Sequence, residues 1–123
     1  MPILVDTSVW VDFLRSGDAD LEKCLEDERV AMHSMVLGEL SLGYLRNRTA
    51  VLRFLGELPK ISSATHEQVM AFVDTHKLAG RGIGWVDAHL LTAVARVDET
   101  QFWTRDKRLK SLAKALALAV PLP

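Results

Sequence analysis

The stretch "ILVDTSVWVDFL", residues 3–14, sets the fold and poses the functional question. Ile3–Val5 is a short apolar run of the kind that forms a buried strand, and it ends on Asp6. Thr7 and Ser8 follow, and the apolar pattern then resumes at helical spacing. Asp6 either caps the next helix or delivers a charge to a site at the end of the strand.

The same alternation continues along the chain. Val9–Arg15 reads as a helix stopped by Ser16 and Gly17, and residues 18–28 put Leu21, Cys24 and Leu25 on one helical face. Residues 29–33 read as a second strand, with Ser34 capping a helix to about Arg46. Further helices are predicted over Thr49–Leu58, Thr65–Leu78 (capped by Thr65), Trp85–Val97 and Lys107–Leu116. Residues 100–104 form a strand, and "KISSA" (60–64) and "ALAV" (117–120) are candidates for two more. The glycine-dense "AGRGIG" (79–84) lacks a preceding strand and reads as a loop, not a dinucleotide fingerprint. Strands separated by helices imply βαβ crossovers, hence an α/β fold with a mainly parallel central sheet covered on both faces. Sites in such folds lie beyond the carboxyl ends of the strands. Asp6 and Asp106 both fall there.

Bulk properties set limits. The 123 residues are 49% hydrophobic and 25% charged, as expected for one soluble domain spanning 1–123. A net charge of −1 excludes a protein whose whole surface binds nucleic acid, although a local basic patch remains open. Cys24 is the only cysteine, which excludes an internal disulfide and a cysteine-rich zinc site, and it reads as a core or interface residue. The N-terminus lacks the pattern of a signal peptide, and no apolar run approaches the ~18 residues of a membrane span. A cytoplasmic protein is the expectation.

Two further acids sit where a core should be. Glu39 lies within about 60° of Met35, Val36, Leu42 and Gly43 around its helix, so it borders an apolar face. Asp87 heads the stripe Leu90, Leu91 and Val94. Each acid also has an ordinary reading. Asp6 and Asp106 would cap helices, Asp87 would answer the helix dipole, and Glu39 would bend past Gly43 to water. Taken together, four acids at element ends or on inward faces form one acidic pocket. Oxygen-only donors suit Mg²⁺ or Mn²⁺, and such ions clamp phosphates and activate water. The chemistry suggested is phosphodiester hydrolysis. Like charges ~5 Å apart repel by roughly 3 kcal/mol at an effective dielectric of ~20, so neutralising Glu39 should stabilise the metal-free chain.

The segments "VDTSVW" (5–10), "VLGEL" (36–40), "GIGWVDAHLL" (82–91) and "WTRD" (103–106) together resemble the PIN-domain family, and within it the VapC-type ribonuclease toxins of bacterial toxin–antitoxin pairs. The resemblance spans nearly the whole chain and places the family's four acids on Asp6, Glu39, Asp87 and Asp106, with Thr104 as the polar residue before the last. It implies a compact α/β/α sandwich, a metal-dependent RNase, a small VapB-like antitoxin as partner, and a homodimer. RNA as substrate comes from the resemblance, since no residue can be singled out as a reader of the 2′-hydroxyl.

Other residues carry weaker signals. Residues 104–114 hold five basic side chains against one acid, and Arg105, Lys107 and Arg108 are candidate phosphate contacts or a solvated face. Trp10, Trp85 and Trp103 fit core packing better than base stacking. His33 and His89 are weak candidates for a general base, and Asp12 reads as solvated or as a support for the site. A signalling receiver domain, the main rival, wants adjacent acids after its first strand and a lysine near a late strand end. This chain has Thr7-Ser8 and a lysine-free "AVPLP" there. A haloacid-dehalogenase-like phosphatase wants an acid at position 8, which is Ser8. A non-catalytic binding scaffold is disfavoured by the complete acidic set.

Overall fold

The computed structural model describes all residues 1–123. Three strands, β1 (Ile3–Val5), β2 (Val30–Ala31) and β3 (Gln101–Trp103), form a parallel sheet in the order β2-β1-β3. Leu4 pairs with Ala31 on one side and Phe102 on the other. The central strand is apolar throughout because both of its faces are covered, and Ile3, Leu4 and Val5 are wholly buried.

Two helices, α1 (Thr7–Ser16) and α2 (Ala19–Glu26), connect β1 to β2. Four more, α3 (Ser34–Leu42), α4 (Arg48–Glu57), α5 (His66–Thr75) and α6 (Trp85–Ala95), connect β2 to β3, and α7 (Lys107–Ala115) follows. The chain leaves β1 towards β2 but leaves β3 in the opposite direction, towards a single parallel bridge between Phe102 and Ala119. With right-handed crossovers, opposite directions put the following helices on opposite faces of the sheet. The architecture is therefore an α/β/α sandwich, and the gap beyond β1 and β3 is its topological switch point. Asp6 opens α1 and Asp106 opens α7 at that gap. No helix is long and apolar enough to cross a membrane.

Several elements differ from the sequence reading. "KISSA" and "ALAV" form no strands. Each contributes one bridge, Met32 with Lys60 and Phe102 with Ala119, extending the sheet by a residue at either edge. Helix α3 stops at Leu42 instead of about Arg46, because Gly43 turns to extended backbone and its N–H returns to the Leu40 carbonyl. Its cap is His33, not Ser34: the His33 Nδ1 accepts from the Met35 N–H at 3.0 Å. Helix α5 ends at Thr75, since Lys77 goes left-handed (φ 52°) and the Leu78 N–H returns to the Val73 carbonyl. Its Thr65–Gln68 capping box forms at the predicted start.

The early end of α3 leaves Leu42 90% exposed, whereas Leu4 is completely enclosed. Leu4→Ala should therefore destabilise the protein by about 3 kcal/mol through lost burial and a residual cavity. Leu42→Ala should change stability by less than about 0.5 kcal/mol. Urea unfolding midpoints at unchanged slope measure both, and equal effects would contradict this placement of α3.

Candidate active site

The parallel ladder carries the first acid to the edge of the sheet. The Asp6 N–H donates to the Trp103 carbonyl at 2.8 Å, one residue beyond the last paired residue of β1. The side chain is only 6% exposed, so its charge needs local donors. Oδ2 receives three: the Thr104 hydroxyl at 2.8 Å, the Ser8 hydroxyl at 2.7 Å, and the Ser8 N–H at a long 3.4 Å. Thr104 is 2% exposed and also accepts from the Asp106 N–H at 3.1 Å, which ties the first acid to the fourth through one hydroxyl.

The other three acids are anchored in the same one-handed way. Asp106 Oδ1 accepts from the Leu109 N–H at 2.9 Å, Asp87 Oδ2 from the Gly84 N–H at 3.1 Å, and Glu39 Oε1 from the Thr7 hydroxyl at 2.7 Å. The second oxygen of each carboxylate accepts no hydrogen bond within the chain. None of these four oxygens is both sealed from water and unpartnered.

The acids act on one another. Burial pushes the Asp87 carboxyl up, the Gly84 N–H pulls it back, and the charges of Asp6, Asp106 and Glu39 raise it further. The result lies above the ordinary carboxylate value. No three His, Cys, Asp or Glu side chains converge closely enough to form a ready-made metal cage. That spacing agrees with like charges each held back by a local donor. A hydrated Mg²⁺, which usually takes one or two carboxylates and keeps several waters, needs no such cage.

Glu39 corrects one expectation. It is exposed and faces Thr7 of α1 instead of interrupting a buried apolar face. Most of the crowding therefore falls on half-buried Asp87. Thr7 and Ser8, read from sequence only as part of a helix start, prove to be the hydroxyl partners of Glu39 and Asp6. Their position directly after Asp6 was the available signal.

The basic residues divide. Arg105 is held by Asp12 at 2.7 Å and by Asp18, whereas Lys107 and Arg108 are exposed on the first turn of α7. Arg108 lies across Gly82 of the glycine-dense loop. A Cβ there would stand 2.7 Å from the Arg108 Cδ and Nη1, which the exposed arginine could relieve by shifting, but φ at Gly82 is +81°, a backbone that favours glycine. Trp10 and Trp103 are core residues, but Trp85 is 42% exposed and packs against His66 and His89. His33 and His89 are buried, and burial, followed by a neighbouring histidine in each case, lowers both pKa values. Cys24 is buried as expected.

An open groove of ≈ 740 Å³ starts at Thr7 and Glu39 and runs between α1, α3 and the 43–46 turn. Val11, Leu14, Leu40 and Tyr44 supply apolar lining, and Arg15 and Arg46 supply charge. Tyr44 is 92% exposed.

The sequence model of the PIN domain matches residues 3–115, which include all four acids. The chain belongs to the PIN-domain family. It is also 44% identical over 118 residues to "Ribonuclease VapC32" of Mycobacterium tuberculosis strain CDC 1551 / Oshkosh, covering 96% of this chain and 95% of that protein. The same figures hold for the protein of that name in strain ATCC 25618 / H37Rv. This places the chain with the VapC-type members of the family.

The direction of the Asp87 shift fixes a pH dependence. Its folded pKa lies above the unfolded value, so its charged form is disfavoured in the fold. The penalty is absent below the unfolded carboxylate pKa, grows as pH rises through both values, and is complete above them. Asp87→Asn keeps an oxygen for the Gly84 N–H and removes the charge. In chelator near pH 7 this variant should melt above the wild type, and the gap should close towards about pH 3. A gap that is missing at neutral pH, or that widens in acid, would contradict the crowding.

Proposed function

We propose that residues 1–123 form one PIN domain acting as a divalent-metal-dependent endoribonuclease, the toxin of a VapBC-type toxin–antitoxin pair. The observation that carries this reading is four carboxylates each anchored through one oxygen with the other left open, two of them at the switch point and three of them acting on the fourth, Asp87. The 44% identity to proteins named as VapC ribonucleases supports RNA over DNA.

In this reading Asp6, Glu39, Asp87 and Asp106 hold Mg²⁺, with Mn²⁺ as a substitute, and Asp6 and Asp87 are direct ligands. When bound, such an ion would supply Lewis-acid polarisation of a phosphate and activation of water. The chain's own part is orientation. Ser8 and Thr104 fix the Asp6 carboxylate and leave Oδ1 open. Thr7 fixes Glu39, and the Gly84 N–H fixes Asp87. Lys107 and Arg108, exposed beside Asp106, hold substrate phosphates.

The groove beside Glu39 is the proposed seat of a VapB-like antitoxin segment. Its apolar floor suits a peptide, and its start at Thr7 and Glu39 lets an occupant cover the site. Half-exposed Met70 and Trp85, with His66 one turn from Met70 and packed at a tilt against Trp85, form a strip suited to a homodimer contact.

The purified protein should cleave single-stranded or looped RNA in Mg²⁺ and stop in chelator. Losing a group that merely supports a ligand typically costs about 10–100-fold, so Thr104→Val should fall in that range. Asp6→Asn and Asp87→Asn should each lose at least about a hundredfold. Full activity in either Asn variant would remove that residue from the metal site. Expression alone should slow bacterial growth, and a co-encoded small protein should relieve this and copurify. Harmless accumulation of active nuclease would argue against the toxin assignment while leaving the nuclease intact.

A further inference from the structure

Arg105 stands in the chain between two residues of the site. Thr104 donates to Asp6, and Asp106 is the fourth acid. Its guanidinium is committed on several sides. Nη1 donates to Asp12 Oδ2 at 2.7 Å and Nη2 donates to Asp18 Oδ2. Nε donates to the Pro123 backbone oxygen at 3.4 Å, and Cζ lies 5.5 Å from the centre of the Trp103 ring. Its own N–H donates to the Ser8 hydroxyl at 3.0 Å.

The partners explain the arrangement. Ser8 and Asp12 are one turn apart on α1 and so present one face to the β3–α7 connection. Asp18 caps α2 through Oδ1, to the Leu21 N–H at 3.0 Å, which leaves Oδ2 for Arg105. A planar guanidinium can meet two carboxylates at once with fixed geometry, which a lysine ammonium cannot. Each of its three nitrogens thus already donates within the chain.

We propose that Arg105 is a positioning residue: by clamping the β3–α7 connection to α1 and α2 it sets where Thr104 and Asp106 stand relative to Asp6, and so tunes the site's affinity for its divalent cation without touching RNA. This rests on the four-carboxylate reading of the site.

The test compares wild type, Arg105→Ala, Arg105→Lys and Asp12→Asn as full chains. It reads the Mg²⁺-induced rise in melting temperature without RNA, the Mg²⁺ needed for half-maximal cleavage, and the KM for RNA at several salt concentrations. Arg105→Ala should raise the Mg²⁺ requirement at least about tenfold and shrink the Mg²⁺-induced thermal shift. At saturating Mg²⁺ its KM and salt dependence should match wild type. Arg105→Lys should recover only part of the affinity. Asp12→Asn should shift the Mg²⁺ requirement in the same direction by less, and it carries the test if Arg105→Ala fails to fold. An unchanged Mg²⁺ requirement in the folded variants overturns the proposal. So does a raised KM with a salt slope reduced by about 1, the mark of a lost phosphate contact. A wild type whose melting temperature ignores Mg²⁺ would instead sink the site reading on which the proposal stands.

Discussion

A carboxylate lies almost buried at the end of the central strand, and the molecule is arranged to tolerate it. Asp6 would cost several kcal/mol in that place without compensation. Its charge is met by the hydroxyls of Ser8 and Thr104, one from α1 and one from the residue after β3. The parallel pairing of β1 with β3 makes this meeting possible, because it sets Val5 beside Trp103 and therefore Asp6 beside Thr104. Slipping the register would separate the pair and strand the charge. The sheet register, the direction of α1 and the path of the β3–α7 connection are thus fixed by the same bonds.

The rest of the acidic site is held by partial charges more than by counter-ions. Asp6 and Asp106 occupy helix N-caps, and Asp87 lies in the first turn of α6. Each of the three therefore sits at a helix N-terminus, whose positive end is worth a few tenths to ~1 kcal/mol to a nearby carboxylate. Asp87 shows the limit of this device: burial and three neighbouring acids outweigh the Gly84 N–H. The nearest strong cation in the loop, Arg105, is directed to Asp12 and Asp18 and neutralises acids outside the site.

Much of this was legible in the chain. The three strands, the sandwich and the helix starts at Asp6, Thr65 and Asp106 follow from apolar runs and capping chemistry, which are local signals. Helix ends were harder: α3 stops at Gly43, inside a pattern that reads as helical to about Arg46, and α5 stops ahead of Lys77, whose left-handed backbone no local residue pattern demanded. His33 displaced Ser34 as a cap because its buried ring has Nδ1 aimed at the helix start, a tertiary outcome. The exposure of Glu39 could not be read from a helical wheel, which gives an apolar direction but not whether anything packs there. Nor could the commitment of Arg105, whose partners lie 93 and 87 residues away.

Asp6 and Asp106 both cap helices, and capping leaves each of them an oxygen free for the role proposed above. A carboxylate has two oxygens, and an N-cap bond to the backbone occupies one. The other oxygen stays open past the first turn, where a parallel α/β fold gathers its strand ends. Asp6 and Asp106 both use one oxygen for the fold and leave one open, and Glu39 and Asp87 repeat the division with a hydroxyl and a glycine N–H. Under the proposed function, stability and chemistry are carried by the same side chains through different atoms. An Asp-to-Asn change can keep the fold-side acceptor while removing the charge. In such a site, loss of function need not bring loss of structure, and the acids can be exchanged one at a time without unmaking the helices they begin.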